Sequence, residues 1–551
     1  MKKNILLTLC LFLLFQLSNA QNAINAYWET NGQVNATAKL NNKLFIGGEF
    51  SYVGPSTGCL GAFNTSSSQI AFANLKINGQ ITATANDNAG NIYLGGDFSI
   101  NGGQRKSLAK FSSTMVYDPA FQYTFDGPLV KMVVNNNTLF IAGSFSNVNN
   151  QMRNGLVAID LTTNNLTSFA PNPDGQIKTL VSANGILFVG GAFNFLSGNP
   201  RASFAAYDGS RNLLPLNLNI QGTVSSIAVS DSLLFVAGQF DSIAGKERTN
   251  LASFNLLTSN IRSWRADVVG QVNDMSVNGS SLFLAGSFYQ VGIQIRNNLA
   301  ACNIFTAAVN TFNPGVDSEI KSLKIKDGNL YVGGSFSNIG VSPKSYLAAI
   351  SISSGTLTGN LPKTNGEVSN LVWAGDVLIA TGSFSSYGGI NANNFVTLDY
   401  QTGTPLPGTM EIDGPIYDME ILGSDLILAG NFNSINATSR VGVAIVDTAL
   451  FLPSSWNPNC DGAVNDVLIL GNTIYLAGEF THLGTDERNY LALVNSTTGA
   501  MATWNPNPNG TVKKLVLNQA QLYALGNFSQ VGSSARKEIA SFDLTNNGSI
   551  R

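Results

Sequence analysis

Three carboxylates occupy one recurring place in this chain. Glu49, Asp97 and Glu479 each stand between a glycine and a phenylalanine, in Gly48-Glu49-Phe50, Gly96-Asp97-Phe98 and Gly478-Glu479-Phe480. Carboxylates paired on one face are what glycoside hydrolysis requires, and a group of them could also hold a divalent cation. Asp97 and Glu479 have a basic residue in their own repeat, Arg105 and Arg488, and ion pairing is the simpler expectation for them. Glu49 has none.

A second recurring position is basic. Eight residues after the phenylalanine stand Arg153, Arg201, Arg248, Arg296, Lys344, Arg440, Arg488 and Arg536, with Arg105 equivalent in a copy whose connection is one residue shorter. The first copy has Gly58 there and the eighth Ala392. A planar guanidinium is well suited to bridging backbone carbonyls, so each could fasten its own repeat. The functional alternative is a cationic rim for an acidic glycan or protein.

Other chemistry is thinly provided. His482 is the only histidine, and it falls in a connecting loop. Cys59, Cys302 and Cys460 sit at different phases of different repeats, and no pair has metal-ligand spacing, so buried free thiols are expected. The strings "GGEF" and "GGSF" end strands rather than open helices, which separates them from a dinucleotide fingerprint. No cofactor is expected.

The element that must position these residues is a repeat. Gly48, Gly96, Gly143, Gly191, Gly238, Gly286, Gly334, Gly382, Gly430, Gly478 and Gly526 recur every 47 or 48 residues. Two residues after each comes Phe50, Phe98, Phe145, Phe193, Phe240, Phe288, Phe336, Phe384, Phe432, Phe480 or Phe528. A period of this size signals a repeat architecture. In the seventh copy "IKSLKI" alternates like a half-buried strand, Asp327-Gly328 is a favoured hairpin turn, "LYVGGSF" reads as a strand covered on both faces, and "YLAAISI" is a third strand. A fourth, weaker strand runs toward "PKTNG". The expected class is all-β, a β-propeller of eleven four-stranded repeats of about 48 residues, with a β-solenoid as the alternative. Glycine permits either a bulge or the close approach of a neighbouring sheet, and the phenylalanine fills the gap between sheets.

A further glycine precedes each first strand, from Gly32 to Gly510, with Ser318 the sole exception, and Asn or Asp often stands before it. Eleven blades exceeds the usual 4–8 of one ring, so one large ring and two tandem rings are both open, with a boundary near Ser318 in the second case. Trp28 echoes Trp456 and Trp504, so the first segment is expected to supply the strand that the last copy lacks. If the chain closes in that way, the copies carrying Glu479, Glu49 and Asp97 come together as an acidic patch.

Residues 1–20 read as a secretory signal, with Lys2 and Lys3 before the apolar run Ile5 to Phe15 and a cleavage site after Ala20. The repeat array then occupies 21–551. Net charge is −3 and 11% of residues are charged, which offers a nucleic-acid partner no electrostatic support. No later segment is long and apolar enough to be transmembrane.

The core "LYVGGSFSNIG … YLAAIS", with its variants "LFVAGQFDSIAGKERTNLASFN" and "IYLAGEFTHLGTDERNYLALVN", resembles the delta-sixty repeat. The same pattern, followed by a basic residue and "LA", is similar to repeats of fungal cortical polarity markers. The first resemblance covers nearly all of the chain after residue 20. It implies a β-propeller in an exported bacterial protein, and it implies no activity. Together these features point to an exported, non-catalytic scaffold that offers loops to a glycan or protein partner. The alternatives are a carbohydrate-active enzyme using the carboxylates and a structural component of the cell envelope.

Overall fold

The computed structural model describes residues 28–551 apart from 66–68, 71–74, 244, 360, 400–404, 409, 547 and 551. The signal-like segment 1–20 lies outside the described residues. The fold is all-β, a series of small antiparallel sheets. Among the described residues no helix is long and apolar enough to cross a membrane.

Each copy builds the same sheet. In the seventh, Ile320–Lys326, Asn329–Gly334 and Leu347–Ser351 pair in that order. Asp327 and Gly328 both take positive φ, 50° and 73°, as a two-residue hairpin requires for its twist to match the strands. The expected fourth strand is reduced. It survives as a two-residue ladder in four sheets, such as Asn165–Leu166 and Asn260–Ile261. Elsewhere it is a single bridge, such as Ile350 with Leu357.

The glycine of the motif sits opposite a bulge in the first strand. In the fifth copy the ladder shifts between Val224 and Ser226, opposite Gly238, and a Cβ on Gly238 would lie 1.8 Å from the Thr223 carbonyl oxygen. The motif glycine therefore serves its own sheet. Close approach between sheets belongs to the residue before it: a Cβ on Gly333 would meet Val368 at 2.5 Å, and one on Gly190 would meet Val224 at 2.6 Å. All eleven phenylalanines are buried, none more than 7% exposed, which makes them packing residues.

The chain divides into two compact units, Thr57–Gly389 and the remainder, Met1–Ser56 with Ile390–Arg551. Among the described residues the first unit holds seven sheets of three to five strands, besides two-stranded hairpins. Their first strands neighbour one another in the order Ile77–Asn86, Leu129–Asn135, Gln176–Ala183, Ile220–Ser230, Val268–Asn278, Ile320–Lys326 and Glu367–Ala374, and the last neighbours the first. The circuit is sealed by one apolar cluster in which Ile77, Ile81 and Leu94 pack with Val372, Ala374 and Ile379. Ser318 lies inside this unit.

Among the described residues the second unit holds four sheets of three or four strands, besides two-stranded hairpins; their first strands are Gln33–Leu40, Ile416–Leu422, Val464–Leu470 and Val512–Asn518, neighbours in that order. In the last of them, the second strand Gln521–Gly526 alternates in burial, with Leu522 and Ala524 buried and Leu525 exposed. The equivalent strand Thr473–Gly478 is buried along nearly its whole length.

The units are interleaved in sequence because the first and eighth copies exchange third strands. Lys43–Glu49 pairs with Phe395–Asp399, and Val377–Ser383 pairs with Leu60–Asn64. The register matches that of an unexchanged copy: Gly47 faces Phe395 as Gly333 faces Leu347. Tandem division of the array is thereby replaced by a seven-sheet unit inserted within a four-sheet one. Among the described residues the expected pairing of the first segment with the last copy is not formed. Trp28–Thr30 pairs with Tyr52–Pro55, and the last sheet runs to its own Ser549–Ile550. Trp456 and Trp504 donate their indole N–H groups to the carbonyls of Asn495 and Gly548, 3.0 and 3.1 Å away, a role the strand position of Trp28 does not reproduce.

Candidate functional site

The basic residues of the repeat are turned onto backbone. Arg248 donates from Nη1 to the Glu247 carbonyl and from Nη2 to the Arg262 carbonyl, both at 2.7 Å, and is 8% exposed. Arg153, Arg296, Arg440 and Arg488 repeat this grip on the preceding residue and on the residue fourteen further along, and Arg201 on the preceding residue and on Leu214, thirteen further along. Arg536 holds the Ala535 carbonyl, and Lys344 reaches Leu361. Arg105 differs. It is exposed and forms an ion pair with Asp97 at 3.0 Å. The two copies without a basic residue at this position, with Gly58 and Ala392 in its place, are the two that exchange third strands.

Glu49 and Glu479 are not brought together. Asp97 belongs to the seven-sheet unit, while Glu49 and Glu479 belong to the four-sheet unit, where the sheet of the ninth copy stands between theirs. The expected pairing of Glu479 with Arg488 is replaced by the clamp, since Arg488 spends both terminal nitrogens on carbonyls. Glu49 lines an open recess with Asp413, whose carboxylate accepts the N–H groups of Asn433 and Ser434. His482 is half exposed, with Nδ1 3.2 Å from Asp461. Asp461 also accepts the N–H groups of Thr481 and His482. These bonds hold its carboxyl down at about 2 against the opposing effect of burial. Cys59, Cys302 and Cys460 are free and buried, and burial pushes their thiols up to between about 11 and about 12. Among the described residues no three His, Cys, Asp or Glu side chains gather as a metal would need.

One position emerges that the sequence reading passed over. Twelve residues before the motif glycine the seven-sheet unit carries Thr84, Lys131, Thr179, Ser226, Asp274, Ser322 and Asn370; the last six stand just past the bulge, where the second copy has Ala83 with Thr84 next to it. All seven line two cavities of about 320 and 270 Å³ that share Lys131, Val133, Ser182 and Lys324. The cavities are thus parts of one polar channel surrounded by the first strands. The signal was present in the sequence, because this position is polar in every copy except at Ala36. It was hidden within the ordinary alternation of a half-buried strand.

In four copies this position accepts an amide N–H from the next sheet. Asp274 accepts from Leu323 at 3.0 Å and Ser322 from Leu371 at 3.3 Å. In the four-sheet unit Asp418 accepts from Val467 at 3.0 Å and Asp466 from Leu515 at 2.6 Å. Each bond ties neighbouring sheets at the bulge. Lys131 reverses the pattern, since an ammonium has no acceptor to offer. Its charge is disfavoured by loss of hydration, opposed by Asp274 and reinforced by Lys324, so its ammonium titrates below the ordinary lysine range. Lys324 is 3.6 Å from Asp274 and donates to the Leu323 carbonyl.

No protein-family model matches this chain, and no curated protein does. Among solved structures it is similar to the computationally designed Ika8 protein, with 10% identity, a TM-score of 0.30, and coverage of 73% of this chain and 95% of that one. A likeness of that order says nothing about what the protein does.

Proposed function

We propose that the protein is an exported, non-catalytic binding scaffold whose seven-sheet unit presents its hairpins to a protein or glycan partner. The carrying observation is the set of apolar side chains on the short hairpins that follow the motif phenylalanine. Met152, Phe195, Tyr289, Ile293, Ile295 and Val341 are between 50% and 100% exposed. Scattered exposed apolar residues are ordinary, but a concentration of them is a mark of an interaction surface. All six fall in the same segment of the repeat, one to seven residues after the motif phenylalanine. Every hairpin joins a second strand to the outer part of its sheet, so in a circuit of like sheets the hairpins emerge on the same side. The hairpins of the four-sheet unit are more polar at their tips, as in Asp486–Glu487 and Ser534–Ala535.

The exposed tips stand on a fixed base. Asp126, Asp174 and Asp317 accept N–H groups at the start of their hairpins, and the arginine clamps hold the far end. A pre-ordered surface loses less entropy on binding. The separation of Glu49 from Glu479 by a whole sheet disfavours the glycosidase reading, which needs both carboxyl groups about one sugar ring apart.

The test is a binding screen of the chain lacking residues 1–20 against exported proteins and polysaccharides. A partner bound at micromolar concentration and lost by Phe195→Ser with Ile293→Ser and Val341→Ser supports the reading. A panel with no such partner, or one whose binding survives the triple variant, overturns it.

A further inference from the structure

We propose that the channel of the seven-sheet unit is a binding site for a small hydroxylated carboxylate of the sugar-acid class, with Lys131 holding the acid group. The site is separate from the hairpin surface. Three observations meet there.

The first is charge. Lys131 and Lys324 face the same space, and Asp274 is the one carboxylate that faces it with them. Two ammonium groups against one carboxylate leave the channel one positive charge in excess. The second is unused capacity. Lys324 and Asp274 are engaged with each other and with backbone, whereas among the described residues Lys131 has neither a hydrogen bond nor an ion pair. A half-buried ammonium in that state has given up water without gaining an acceptor, and an incoming carboxylate supplies one. The third is the surroundings. Thr179 and Ser226 are buried against the channel, and among the described residues their hydroxyls form no hydrogen bond. Hydroxyls can donate and accept, so they match a ligand that carries hydroxyls of its own. The larger cavity, about 320 Å³, falls in the range of small-ligand sites.

A single negative charge matches the excess, while a phosphate dianion overshoots it. The apolar walls at Val133 and Val181 offer a second charge no partner.

The experiment is calorimetric titration of the full chain with glucuronate, gluconate, glucose and inorganic phosphate, joined to reductive methylation of lysines read by mass spectrometry. Either acid should bind while glucose does not, and Lys131→Met should weaken that binding at least tenfold. The acid should also shield Lys131 from methylation while Lys513, on the four-sheet unit, is labelled as before. Should Lys131→Met fail to fold, Lys131→Gln and the shielding of the unaltered chain carry the same test. Equal binding of acid and glucose, a preference for phosphate, binding unchanged in the lysine variants, or no binding of either acid at millimolar concentration overturns the proposal. Because the hairpin triple variant leaves the channel untouched, it should bind the acid as the unaltered chain does. Failure of the hairpin reading is thereby distinguishable from failure of this one.

Discussion

Leu60 lies directly opposite Thr381 in an antiparallel ladder, although the two belong to the first and eighth of eleven copies. A strand is indifferent to which equivalent neighbour it pairs with, provided the register and the buried face are kept. Both are kept here. What differs in these two copies is the return of the chain after the phenylalanine, where Gly58 and Ala392 stand in place of the basic residue.

The exchange can be tested by cross-linking. Ala62 faces Ile379, and Phe45 faces Thr397. In a chain whose Cys59, Cys302 and Cys460 are replaced by alanine, Ala62→Cys with Ile379→Cys should form a disulfide under mild oxidation, since directly paired Cβ atoms fall within bonding range. Ala62→Cys with Phe45→Cys, the pairing of an unexchanged first copy, should not. Mass spectrometry of the joined peptides decides, and the reverse outcome excludes the exchange.

The clamp should matter for stability in proportion to its burial. Arg248→Ala strips two carbonyls of a charged donor and should cost about 1.5–3 kcal/mol. Arg248→Lys should recover little, because one ammonium does not reproduce the two-pronged geometry. Arg105→Ala removes an exposed ion pair and should cost less than about 1 kcal/mol. Denaturant midpoints of the three variants provide the comparison, and equal losses at both positions would remove the structural role assigned to Arg248.

Gly238 and Gly328 should respond differently to alanine. At Gly238 the new methyl would overlap the Thr223 carbonyl, and the bulge must open to admit it, so a loss of more than about 3 kcal/mol or a failure to fold is expected. At Gly328 the φ is positive and nothing lies within 4 Å. There the cost should be that of the left-handed backbone alone, about 1–2 kcal/mol. Thermal unfolding of both variants checks the order, and a larger loss at Gly328 would contradict the bulge account.

Stability should peak in mildly acidic solution. Asp466 is 1% exposed, and its carboxyl is pushed up to about 7, chiefly by burial, with Asp418 adding and Lys514 opposing. Glu420, beside the same group, is raised by burial and by Asp418. The folded state then binds more protons than the unfolded one between about pH 4 and 7, so stability falls as pH rises through that window. Asp461, held at about 2, acts oppositely, and its contribution is lost as pH falls below about 4. Melting temperatures across pH 2 to 8 should therefore pass through a maximum near pH 4. Asp466→Asn should flatten the upper limb and leave the lower one. An upper limb that persists in that variant would assign the effect elsewhere.

The sequence by itself determined the sheet. The period, the strand pattern, the Asp327-Gly328 turn and the burial of eleven phenylalanines are all local facts, set by backbone conformation and by which residues leave water. The clamp was legible as well, because a guanidinium at one phase of a repeat most simply serves that repeat. Tertiary structure alone decided which sheets are neighbours. Copies that are nearly alike offer nearly equal partners, so neither the exchange of Leu60–Asn64 with Phe395–Asp399 nor the division into seven and four sheets follows from local pattern. The polar channel depends on the same decision. Lys131, Asp274 and Lys324 are scattered across the chain, and they face one space only because like strands close into a circuit and turn the same position inward.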